Sequence, residues 1–97
     1  MFQLIVKPRA GEMAQEAYDW YNEQQQGLGD LFLLEFEKGL DKLEIWPEAY
    51  TKIKKDFRHL VLHKFPYVIV FKIIKTDVVV YAVFHTSRNP AKKFKRK

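Results

Sequence analysis

Cysteine is absent from this 97-residue chain, which excludes a disulfide framework and any thiolate ligand or nucleophile and agrees with a reducing, cytoplasmic location. Long apolar runs are absent as well. The opening MFQLIVKPRAGE holds only six consecutive apolar or amide residues before Lys7 and Pro8. That is too short for the apolar region of a signal peptide, and no run approaches the ~20 residues of a membrane span. Proline is scarce, at four residues, and each of Pro8, Pro47, Pro66 and Pro90 closes or interrupts a periodic segment. Acid is scarce in one half of the chain: from Ala49 onward thirteen Lys and Arg face only Asp56 and Asp77.

What is present is a core-forming composition. Eight Phe, five Tyr and two Trp predict one folded domain with a single modest core, not a disordered chain. Between Glu12 and Glu48 ten acids face Lys38 and Lys42, so an acidic first half precedes a basic second half. Residues 1–90 balance twelve bases with twelve acids, and the tail 91–97, with Lys92, Lys93, Lys95, Arg96 and Lys97, carries the whole excess of +5. Such a basic half suits phosphates or an acidic protein partner.

Phe2 to Lys7 alternates like a half-buried strand, with Phe2, Leu4 and Val6 on one face. From Ala10 the period lengthens: Ala10, Ala14, Ala17, Tyr18 and Tyr21 recur at three- and four-residue steps, which predicts an amphipathic helix. Gly27 suits the left-handed end of that helix and Asp30 the cap of the next. The second helix, Asp30 to Trp46, has Phe32, Phe36, Leu40 and Leu43 as its inner stripe, widened by Leu33 and Leu34, with Glu35, Glu37, Lys38, Asp41 and Lys42 outside. Gly39, inside it, is expected to admit a close neighbour. Thr51–Lys55 reads as an edge strand and Phe57–Phe65 as a better one, with His59 and His63 on one face. The runs Tyr67–Ile74 and Val78–His85 are rich in β-branched and aromatic residues and are joined at Lys75 to Asp77, a hairpin signature. The expected fold is α+β with two layers: a mostly antiparallel sheet carrying a helical hairpin on one face, in the order β-α-α-β-β-β.

That order, with EAYDWYNEQQQGLGDLFLLEFEKGL, WPEAY, FPYVIVFKI and VVVYAVFHTSRNP, resembles the RelE/ParE superfamily of bacterial toxins over nearly the whole chain. The resemblance implies a cytoplasmic toxin domain over 1–90 with a basic tail at 91–97. It also implies a cognate antitoxin, a hetero-oligomer with it, and one of two targets: messenger RNA in the ribosome for RelE-like members, or DNA gyrase for ParE-like members. The FPY segment and the HTSRNP ending resemble the ParE-like branch more closely. The runner-up is a RelE-like, metal-free endoribonuclease, and a third reading is an inactive relative acting as a binding module.

RelE-like cleavage needs a proton acceptor for the attacking 2′-hydroxyl and cations for the crowded phosphate. The resemblance matches the arginine after the last strand with Arg88, whereas His59 and Val61 fall at the two lysine positions, Val68 at the first arginine and Phe94 at the tyrosine. A nuclease here would draw on Arg88, His85, Lys64 and His63. As a target- or nucleic-acid-binding surface the candidates are Arg58, Lys64, His85, Arg88, Lys92 and Lys93. Neither a cofactor nor a metal is expected, because His59 and His63 would need a third donor and only Asp56 and His85 are near in sequence.

Overall fold

The computed structural model describes residues 1–87; Arg88 and the predicted basic tail 91–97, with Lys92 and Lys93, lie outside the described residues. The elements follow the order β1 (Gln3–Val6), α1 (Pro8–Gln24), α2 (Leu28–Ile45), a single 3-10 turn (Pro47–Ala49), β2 (Lys52–Lys54), β3 (Phe57–Val61), β4 (Tyr67–Ile74) and β5 (Asp77–His85). Pro8 both ends β1 and opens α1, because its missing N–H is one that the first turn of a helix leaves unbonded anyway. The helix therefore begins before Ala10. Gly27 takes the left-handed conformation, φ 89°, as its place in the break requires, but it serves as the N-cap of α2. Asp30 lies inside the first turn and makes no capping bond, which corrects the expected cap.

The sheet has the order β1-β5-β4-β3-β2. Strands β2 to β5 form an antiparallel meander in which Leu60 faces Ile69 and Ile69 faces Val83. The chain returns β1 to the free edge of β5 in parallel, with Ile5 opposite Val79. Sequence patterns alone do not name a strand's neighbour, so this parallel edge is the one part of the topology that had to be seen.

Both helices cover the same face. Ala10, Ala14, Ala17 and Tyr21 of α1 and Phe32, Phe36 and Leu43 of α2 meet Leu60, Tyr67, Ile69, Phe71, Val78, Val80 and Val83 of the sheet. Small alanines on α1 let that helix lie close, while the rings of α2 fill the space beside it. Leu33 and Leu34 do not widen the stripe: both are exposed, as is Leu31. Instead Glu35, expected on the outside, is buried. It lies three residues from Phe32 and four from Gly39, on the buried line of a 3.6-residue repeat. A Cβ on Gly39 would stand 3.0 Å from Ile69 Cδ1, 3.2 Å from Leu62 Cδ2 and 3.3 Å from Leu60 Cδ2, so this glycine admits the sheet.

Candidate functional site

Strand β3 ends at Val61, four residues earlier than the alternation predicts, and the chain turns through 62–66 before β4. His63 therefore leaves the face that carries His59 and enters a groove of about 250 Å³ lined by Glu35, Lys38, Gly39, Lys42, Leu62 and Lys64, among others. The Glu35 carboxylate anchors this end of the molecule, 3.5 Å from Lys38 Nζ and 4.0 Å from Lys64 Nζ. Both lysine side chains remain more than half exposed, so these pairs position cations more than they stabilise the fold. The groove runs along an open strand edge. Leu62 N–H donates inward to the Tyr67 carbonyl and His59 N–H outward to the Thr51 carbonyl, so by alternation the Val61 backbone faces outward, past the last residue paired with β2.

His85 belongs to the same end of the sheet. It faces Tyr67 across the β4–β5 ladder, and Thr86 N–H donates to the Pro66 carbonyl at 2.7 Å. The imidazole packs edge-on against Tyr67 with centroids 5.2 Å apart, and its Nδ1 accepts from Ser87 N–H at 3.1 Å. Lys64, His63 and His85 thus gather at one end of the sheet. Arg58 lies at the other. Its Nη1 donates to the carbonyls of Glu48 at 3.2 Å and Tyr50 at 2.7 Å, holding the loop that follows α2. Arg58→Ala is expected to cost about 2 kcal/mol, since two carbonyls lose their charged donor together. Urea melts check this, and an unchanged midpoint would return Arg58 to the list of free surface cations.

The three strand positions that the RelE-like resemblance assigns to cleavage, His59, Val61 and Val68, come together, while Arg88 and Phe94 lie outside the described residues. Val61 faces Val68 and His59 faces Val70 across the β3–β4 ladder, on the sheet surface opposite the helices. These three described positions bring one imidazole and no cation with a fixed charge. Glu35, which lies 4.0 Å from Lys64 Nζ, reads as an outer acid by its charge, whereas its spacing from Phe32 and Gly39 is the signal that places it on the buried line.

A two-helix hairpin on one face of a meander, closed by a parallel first strand, is the fold of known bacterial toxins. The chain is similar to the chromosomal ParDE toxin–antitoxin system of P. aeruginosa, with a TM-score of 0.73 and 14% identity over 88% of this chain and 96% of that one. It is also similar to the intact E. coli RelBE toxin–antitoxin complex, with a TM-score of 0.64 and 20% identity over 91% and 100%. For the isolated E. coli RelE toxin the TM-score is 0.63, at 22% identity over 92% and 88%. At these identities the likeness is one of fold. No curated protein sequence matches significantly. The model of the ParE toxin of type II toxin-antitoxin system, parDE, matches residues 4–90, and the chain belongs to that family.

Proposed function

We propose that this protein is the growth-inhibiting half of a type II toxin–antitoxin pair, that it acts in the cytoplasm by binding DNA gyrase, and that a cognate antitoxin neutralises it. The observation that carries this reading is the family match across residues 4–90. The sequence supports it too: where RelE-like enzymes place two lysines and a first arginine this chain holds His59, Val61 and Val68, which leaves Arg88 as the one matched cation, less positive field than a cleaved phosphate needs. For an antitoxin the molecule offers two docking features. One is a groove of about 400 Å³ on the helical hairpin, lined by Gly11, Ala14, Tyr18, Leu33 and Phe36 among others, with Leu31 and Leu34 exposed on the same helix. The other is the open edge of β3. Among the described residues no helix is long and apolar enough to cross a membrane.

Induction without an antitoxin is expected to stop growth and raise a DNA-damage response, and purified toxin is expected to make gyrase accumulate cleaved DNA while ribosome-programmed messenger RNA stays whole. Codon-spaced cuts in that message would replace this reading with a ribosome-dependent endoribonuclease. Undiminished growth under strong induction would replace it with a binding module that has lost toxicity.

A further inference from the structure

We propose that the sheet face turned away from the helices carries a separate binding site, built from Phe57, Tyr81, Lys72 and Lys7, that takes single-stranded nucleic acid. None of these four residues coincides with the positions the RelE-like resemblance points to. The site depends on an irregularity in the sheet. Val70 pairs with Ala82 and Phe71 with Val80, so Tyr81 is an extra residue in β5, and a bulge of this kind re-aims the side chain it adds. Tyr81 meets Phe57 edge to face, with centroids 5.4 Å apart at 82°. Lys72 Nζ lies 4.5 Å from the Phe57 centroid and 5.8 Å from that of Tyr81, and Lys7 Nζ lies 5.9 Å from Tyr81. Both rings are only partly buried and Lys7 is exposed. Lys54, the partner of Phe57 in the β2–β3 ladder, extends the positive margin. Asp77, at the hairpin end of β5, is the single acid in the described strands.

Two aromatic rings attended by two ammonium groups match one ligand chemistry. A base stacks on a ring whatever its identity, and the phosphates beside it attract lysines. An ammonium resting over a partly exposed ring is held more weakly than a stacked base. A lysine displaced from the ring by a base then finds a phosphate within reach of its flexible stem. An acidic peptide would engage the lysines and leave the rings unused.

The test is fluorescence anisotropy of the full chain with a labelled twelve-nucleotide oligothymidine, its ribose counterpart and an abasic strand of equal length, at two salt concentrations. Binding is expected for both base-bearing strands and should weaken about ten-fold for the abasic one. Phe57→Leu and Tyr81→Leu, which keep apolar volume, should each weaken it several-fold, and Lys72→Gln should reduce the slope against log salt by about one. Equal affinity for the abasic strand would overturn the site, as would binding that survives both ring variants, since that is what a basic tail alone would give. If a ring variant fails to fold by circular dichroism, the salt slopes of Lys72→Gln and Lys7→Gln decide, and unchanged slopes overturn it. Neither growth arrest nor gyrase enters this measurement, so its failure and the failure of the toxin reading are separable.

Discussion

Phe32→Ala is expected to remove about 3–5 kcal/mol of stability, a large share of the ~5–15 kcal/mol that a domain typically holds. Phe32 is fully buried and its ring is the junction of the aromatic cluster. It stacks on Tyr21 of α1 with centroids 5.7 Å apart, meets Phe65 of the β3–β4 turn at 5.5 Å and Tyr67 of β4 at 5.0 Å, and continues to Phe36 at 6.2 Å. Deleting it leaves a cavity where α1, α2 and the sheet meet, and no single neighbour can fill it without leaving its own contacts. Phe32→Leu keeps most of the volume and should cost about 1–1.5 kcal/mol. Urea denaturation of the two variants measures the difference. A common midpoint would mean that the cluster repacks freely and that Phe32 is not its junction. Because His85 rests on Tyr67, the alanine variant should also loosen the end of the sheet that carries Lys64 and His63. Its loss of growth arrest would then report folding, which the leucine variant separates from contact with a target.

Much of this architecture was legible before any coordinate. The β4–β5 hairpin was written in its β-branched runs and in the short segment between them, and the observed register closes on Ile74 opposite Asp77. The helices were legible from the recurrence of Ala10, Ala14, Ala17 and Tyr21 and of Phe32, Phe36 and Leu43, all of which are buried. What escaped depends on tertiary placement. Glu35 looked like a surface acid because it is charged, and is buried because of where it falls on the repeat. Leu33 and Leu34 looked like core because they are apolar, and are exposed because a helix against one sheet has only one inner line. His63 seemed to share a face with His59 until the chain left β3 at Val61. The candidate site was less legible than the fold. Lys64 and His63 do line one groove, and His85 lies at their end of the sheet. Composition gives no sign, however, that Arg58 holds backbone carbonyls, or that a bulge brings Tyr81 to Phe57 and Lys72.

The two helices should be far less tolerant of a methyl group at Gly29 than at Gly39. At Gly29 an added Cβ would fall on the Tyr18 carbonyl oxygen and within 2.7 Å of Asn22 Cγ. The backbone of α1 is thus part of the obstruction. The close approach is also bonded, since Gly29 N–H donates to Asn22 Oδ1 at 2.8 Å. Any shift that relieves the clash stretches this clasp between the helices. Gly29→Ala should therefore cost roughly 2–3 kcal/mol and lower the melting temperature by on the order of 10–20 °C. At Gly39 the nearest atoms are the mobile ends of Ile69, Leu62 and Leu60, which can yield by a few tenths of an ångström. Alanine there also recovers about 1 kcal/mol of helix propensity, so Gly39→Ala should stay within about 1 kcal/mol of the parent chain. Thermal melts of the two single variants decide the matter. A Gly29→Ala loss of under about 1 kcal/mol would show that α1 and α2 have room to separate at this contact, and that Gly29 does not hold the two helices in close approach.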